Sequence, residues 1–423
     1  MKSRAATLIK HPLISGSSIV LLGSLTANFI NYLFNLAMGR LLHVADYGLL
    51  ISLTSFFVIF IVFTNAFSSI FAKFTAKYLA HKDNEGLSSL VIEGFKIVLM
   101  FAIVVFLILL FSSKVLSSLF HTQNITLLVV SFSAVFFSLI GSLSSGLLQG
   151  KMKFLFLAFL YVTNSIIKLI VGVCLVVWGF GVIGGMAGHI VSGLILTLIT
   201  LYFVFTSLKR AKVSKEKRTE KEFFEEFKKY TFQFMLATLG LAVITNGDTI
   251  LMRHFLQPVA AGQYAALSLM GKVIFYFTTP IYFVFFPLVA HKKEKNENVL
   301  GTLFLAGGII LLFSVTSSLV YFLFPNIVLK VFFPSKAYLS LAPYLGLYSI
   351  YILIFSIAYL LNNFFLSVGK TGVFKINIFC AFVFILSISL FHANLFQIIG
   401  DLFAVSFLLL LSLIVYYKLN GSY

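Results

Sequence analysis

Residues 244–256 read ITNGDTILMRHFL, with Asp248 and Arg253 five apart in a run otherwise apolar enough for lipid. Residues 31–40, NYLFNLAMGR, set Asn35 and Arg40 at the same spacing, 213 positions earlier. Two further pairs follow at nearly the same offset. Tyr47 corresponds to Tyr264 at 217, and Gly150 of LQGKMKF corresponds to Gly369 of SVGKTGVF at 219. Each pair is weak evidence alone. A near-constant offset at equivalent places in the chain points to an internal duplication.

The solvent of this chain is a bilayer. Of its 423 residues 60% are hydrophobic and 10% are charged, and Phe occurs 51 times. A soluble domain carries about 25% charged residues. A membrane helix needs about 20 apolar residues. That ruler yields twelve spans, near 15–38, 48–70, 93–112, 125–149, 154–177, 182–206, 232–253, 264–288, 299–323, 341–366, 374–392 and 398–417. The longest connection, SLKRAKVSKEKRTEKEFFEEFKKY at 207–230, divides them into six and six. The expected organisation is an N-terminal bundle over 1–206, a charged cytoplasmic linker over 207–230 and a C-terminal bundle over 231–423. The basic opening MKSRAATLIKHPLISGSS leads into an apolar stretch with no small-x-small cleavage site, and reads as the approach to a first membrane helix.

Lys and Arg are distributed unevenly. With the N terminus inside, 23 fall in inner segments and five in outer loops: Arg40, Lys114, Arg253, Lys330 and Lys336. This asymmetry places both termini in the cytoplasm of a multi-pass plasma-membrane protein. It also explains the net charge of +18 as topology rather than nucleic-acid binding. Span seven then has the sidedness of span one. The repeat is parallel, about an axis along the membrane normal, an arrangement typical of transporters with substrate between the halves.

Enzymatic readings find little support. The outer loops are short, and there is no Walker motif, HExxH, GxSxG or Cys/His cluster. No cofactor or metal is expected. Cys174 and Cys380 stand in apolar runs as small core residues. His189 is the one histidine well inside a span, next to the packing glycines of GVIGGMAGHIVSG.

The stretch NYLFNLAMGRLLHVADYGLLISLTSF (31–56) has an apolar helix, an Arg, a short loop and Tyr-Gly opening the next helix. It resembles the polysaccharide-transport (O-antigen and oligosaccharide flippase) family of the multidrug/oligosaccharidyl-lipid/polysaccharide exporter superfamily. DTILMRHFLQPVAAGQYAALSLMGKVIFYFTTPIYFVFFPLVA (248–290) is similar to that family's seventh and eighth helices, with Pro287 near the inner end. The resemblance implies an all-α fold of about twelve helices, in two pseudo-symmetric six-helix bundles forming a V around a central cavity. It implies alternating access, no catalysis, and a bacterial cell-membrane setting. The implied cargo is an undecaprenyl-diphosphate-linked oligosaccharide bound for cell-surface polysaccharide, with a functional link to a polymerase or ligase. The competing readings are a multidrug/cation antiporter of the same superfamily and a polytopic glycosyltransferase or polymerase.

Polar groups inside the spans are the candidate site. An ionisable group in hydrocarbon costs at least about 2.5–3.5 kcal/mol, so it faces a partner or water. Lys272 lies eight residues past Tyr264, about 12 Å along a helix. Lys168 lies mid-span in TNSIIKLIVG. An anionic diphosphate crossing a low-dielectric path needs fixed cations, and these two lysines are the first and second candidates. The bland alternatives are snorkelling for Lys272 and an inter-helix pairing for Lys168. Asp248, read as the only carboxylate well inside a span, is expected either to pair with Arg40 or Lys272, or to bind a coupling H+ or Na+. Arg40 and Arg253 read as interfacial anchors or as contacts at an outer gate. Asn28, Asn31, Asn35, Asn164, Asn246 and Tyr161 are candidate sugar contacts, or else inter-helix glue.

Overall fold

The computed structural model describes residues 12–210, 221–295 and 297–420, and these are helical throughout, with no strand among them. Twelve long helices follow in order: α1 (Pro12–Leu41), α2 (Val44–Ala80), α3 (Asn84–Phe111), α4 (Ile125–Gly150), α5 (Phe154–Leu175), α6 (Gly181–Arg210), α7 (Lys221–Phe255), α8 (Pro258–Glu294), α9 (Leu300–Leu323), α10 (Ala342–Ser367), α11 (Phe374–Leu390) and α12 (Leu395–Asn420). Eleven helical runs among the described residues are long and apolar enough to cross a membrane, α5 and α6 together forming one of them. The α5–α6 run is continuous in hydrogen bonding through Val176–Phe180, but Gly179 at φ 92° breaks it into two crossings. Closed helices are what lipid demands, because every backbone polar group must be satisfied within the segment. Of the expected linker 207–230, residues 211–220 lie outside the described residues. Residues on either side belong to the ends of α6 and α7.

The duplication is visible in element lengths. α2 and α8 are both 37 residues long, and α4 and α10 are both 26. An eight-residue helix, Ser113–Phe120, stands between α3 and α4, and another, Pro325–Phe332, between α9 and α10. α4 and α10 also end in the same turn. Lys153 N–H bonds Leu148 O at 3.0 Å and Met152 N–H bonds Gln149 O at 3.0 Å; Lys370 N–H bonds Phe365 O at 2.8 Å and Gly369 N–H bonds Leu366 O at 3.2 Å. This is a double helix-ending bond around a left-handed residue, Met152 at φ 54° and Gly369 at φ 82°. The structural register is therefore Met152 on Gly369, the 217 of the tyrosine pair. The Gly150–Gly369 match expected from the shared Gly-Lys is two residues out.

By contacts the chain divides into two compact units, Met1–Leu41 with Phe60–Glu222, and Leu42–Ile59 with Phe223–Tyr423. Sequence order places residues 42–59 in the first bundle; the structure groups them with the second.

Within the first unit, α4 and α6 pack through small residues. Three hydroxyls cross between them: Ser144 to Leu196 O at 3.2 Å, Thr197 to Phe137 O at 3.1 Å and Thr200 to Ile140 O at 3.2 Å. In lipid, where apolar burial gives little drive, close approach and such bonds hold helices together. In the second unit tyrosines do the same work. Tyr282 donates to Ser356 O at 3.0 Å and Tyr321 to Met270 O at 2.8 Å.

Candidate functional site

In the second unit, Asp248 of α7 meets a row of α8 side chains. Tyr264, Ser268 and Lys272 are spaced by four and so lie on one face of that helix. Lys272 Nζ is 2.9 Å from Asp248 Oδ1. The other oxygen, Oδ2, accepts from Tyr264 Oη at 3.0 Å, Ser268 Oγ at 3.0 Å and Tyr348 Oη of α10 at 2.9 Å. All five residues are buried. Of the two fates expected for Asp248, the structure shows pairing, and the partner is Lys272 rather than Arg40. Ser268 and Tyr348 are members of the cluster that the reading of spans and charges did not single out. Ser268 carries a detectable signal in its four-residue spacing from Tyr264 and Lys272; Tyr348 is 100 positions away and carries none.

One end of the same unit is closed by the opening of α2. Thr249 Oγ1 donates to Ser55 Oγ at 2.7 Å, and Arg253 Nη1 donates to Ala45 O at 3.3 Å. Tyr47 is fully buried, with its ring centroid 5.9 Å from that of Phe333. Arg253 is itself buried, at 5% exposure. The expectation of a helix-end anchor at Arg253 is thus corrected: its guanidinium is turned inward onto a backbone carbonyl. Its repeat counterpart Arg40 is exposed. Asn246 spends its amide N–H groups at home, on Ala242 O at 3.1 Å and Thr245 Oγ1 at 3.0 Å.

The first unit holds the other lysine. α1 and α5 run side by side in the same direction, Gly23 against Ala158 and Phe34 against Gly172. Lys168 Nζ sits 4.7 Å from the centroid of the Phe34 ring, a cation–π contact. Among the described residues no carboxylate lies within ion-pair distance of it. His189 of α6 meets the same ring edge-on, with centroids 5.6 Å apart. Tyr161, Asn164 and Lys168 fall on one face of α5 at spacings of three and four. Asn164 Nδ2 donates to Ser192 O of α6 at 3.0 Å, and Tyr161 packs beside a cluster of Val20, Leu148, Leu157 and Leu160. Asn28, Asn31 and Asn35 repeat that spacing on α1, all half-buried. Asn35 Oδ1 is buried without a hydrogen-bond partner among the described residues.

One carboxylate escaped the sequence reading. Asp401 lies in α12, which begins at Leu395, three residues before the expected edge. Its Oδ2 is buried and has no hydrogen-bond partner among the described residues. Asp248 is therefore not the only acid inside a span. No group of metal-binding side chains occurs among the described residues.

A family model described as "Polysaccharide biosynthesis protein" matches residues 13–293. An uncharacterized membrane protein of Methanocaldococcus jannaschii is 22% identical over 293 residues, which is 67% of this chain and 69% of that protein. Among solved structures, the lipid II flippase MurJ in an inward closed conformation aligns with a TM-score of 0.69 at 16% identity, covering 94% of this chain and 87% of that one. An inward-facing multidrug-resistance MATE transporter of the MOP superfamily aligns with a TM-score of 0.68 at 13% identity, covering 92% and 93%. The fold is the two-lobe, twelve-helix fold of these transporters.

Proposed function

The chain belongs to the polysaccharide biosynthesis protein family, and on that premise we propose that it is a flippase for a polyprenyl-diphosphate-linked oligosaccharide. The cargo would be an undecaprenyl-diphosphate repeat unit, moved from the cytoplasmic to the outer leaflet by alternating access. The observation that carries the reading is the contrast between the two intramembrane lysines. Lys272 is paired with Asp248, whereas Lys168 lies over an aromatic ring with no carboxylate within ion-pair distance among the described residues. A cation left unneutralised in a membrane span calls for an anion, and a diphosphate supplies one. In the resting state we assign the cargo's charge to Lys168. Its sugars fall to Asn28, Asn31, Asn35, Tyr161 and the remaining polar atoms of Asn164. Arg40, exposed at the end of α1, is a further contact for the diphosphate. Asn246 drops out because its donors are spent.

Any coupling to a gradient of H+ or Na+ we assign to Asp401 rather than Asp248, since both oxygens of Asp248 are occupied. The inner excess of Lys and Arg supports cytoplasmic termini and a plasma-membrane location. A polymerase or ligase would receive the translocated unit.

The MATE likeness supports a second reading, export of cationic amphiphiles. Such a site needs an available acid; Asp248 is capped by four donors, which leaves Asp401 as the acid that would have to supply it. One experiment separates the two: translocation of a fluorescent undecaprenyl-diphosphate oligosaccharide in proteoliposomes, wild type against Lys168→Ala. Transport by wild type and its loss in an equally folded variant support the flippase reading. Expulsion of cationic dyes without glycolipid movement replaces it with the antiporter.

A further inference from the structure

The Asp248 cluster is provisioned unevenly. A carboxylate has about four acceptor positions, and Asp248 meets four donors, three of them neutral hydroxyls crowded on Oδ2. An ammonium has three N–H donors. That of Lys272 spends one, on Asp248 Oδ1, and no second acceptor lies within hydrogen-bond distance among the described residues. A fixed structural pair would be satisfied on both sides, because a buried donor without a partner is costly. Here the acid is fully held and the base is tethered by a single bond. Its side chain also keeps 8% exposure, against none for the acid. Tyr351 stands edge-on to Tyr348 at 5.2 Å, and its buried hydroxyl has no partner among the described residues, so a further donor stands beside the cluster.

We infer that Lys272 is an exchangeable counter-cation. In this structure Asp248 holds it; when a phosphate group of the cargo reaches α8, the ammonium leaves Oδ1 and its three donors turn to phosphate oxygens. Tyr264, Ser268 and Tyr348 then keep Asp248 a carboxylate without its cation. The flexible four-carbon stem of lysine permits the swing. The three hydroxyls lower the cost of leaving an acid unpaired in a low-dielectric interior. This inference rests on the reading above that the cargo carries a diphosphate, and it gives Lys272 a part in the loaded state alone.

The chain contains four aspartates, at 46, 83, 248 and 401, so carbon-13 labelling of aspartate gives a readable infrared spectrum of the full protein in nanodiscs. The Lys272→Met variant supplies the reference band of Asp248 held by hydroxyls alone. On adding undecaprenyl diphosphate to wild type, the Asp248 carboxylate band is expected to move to that reference position. Undecaprenol, which lacks phosphate, is expected to leave it in place. A shift with inorganic diphosphate alone identifies the free phosphate group as sufficient; a shift only with the lipid form identifies the membrane-anchored headgroup. Tyr264→Phe combined with Tyr348→Phe is expected to weaken undecaprenyl diphosphate binding by at least about tenfold. If the lipid binds wild type and the band stays, or the double variant binds as wild type does, the pair is locked and the exchange is wrong while the flippase reading stands. If neither diphosphate binds, both fall together.

Discussion

Thr249 Oγ1 donates to Ser55 Oγ at 2.7 Å, joining residues 194 positions apart inside one compact unit. The bond is buried and links α7 to the first turns of α2. Thr249→Val removes the donor and leaves the Ser55 hydroxyl without it. The expected cost is about 1 kcal/mol, read as a lower midpoint in thermal denaturation of the purified protein. Ser55→Ala added to Thr249→Val should cost less than it does alone, since residues in one bond are non-additive.

Asp248 and Lys272 should differ in what their removal does. Asp248→Asn leaves a buried ammonium without its acceptor, and breaking a buried pair costs about 3–5 kcal/mol. Lys272→Met leaves a carboxylate still held by three hydroxyls and should cost clearly less. Thermal midpoints of the two variants decide this. The reverse order would show that the hydroxyls do not hold the acid.

Lys168→Met should abolish glycolipid translocation, and Lys168→Arg should retain part of it. Stability should not fall with the methionine variant, because an ionisable group in a membrane span without a partner carboxylate is itself a cost. Transport in proteoliposomes and thermal midpoint are measured together. Loss of both would mean that Lys168 packs rather than binds.

Gly262→Ala should displace the start of α2. A methyl at Gly262 would collide with Val44 O, a backbone atom that cannot swing aside. Overpacking of this kind costs about 1–3 kcal/mol or more. Gly308→Ala in α9 is the control, since nothing lies within 4 Å of its added methyl. It should be neutral, or stabilising by up to about 1 kcal/mol. Equal midpoints for the two variants would contradict the close approach.

Twelve helices, the duplication and the intramembrane charges were legible in the sequence because lipid imposes them: spans have a required length and charges stand out against apolar runs. Asp401 was passed over because the expected span began at 398 and put it only three residues from an edge, whereas the helix begins at Leu395 and puts it six residues in. The destination of Lys272 remained open for a different reason. Its spacing from Tyr264 is local, but Asp248 is 24 positions away and Tyr348 a further 76 beyond Lys272, and nothing in composition brings them together. The inward turn of Arg253 was hidden by its repeat partner. Arg40 and Arg253 share a motif position, yet one is exposed and the other buried.

α2 is one unbroken helix whose opening residues group with a unit made otherwise of the second repeat. The boundary of the repeated unit and the boundary of the compact unit therefore do not coincide. Severing the chain at the linker would therefore leave the second fragment without part of its own compact unit. That fragment should fold only when the first is supplied with it.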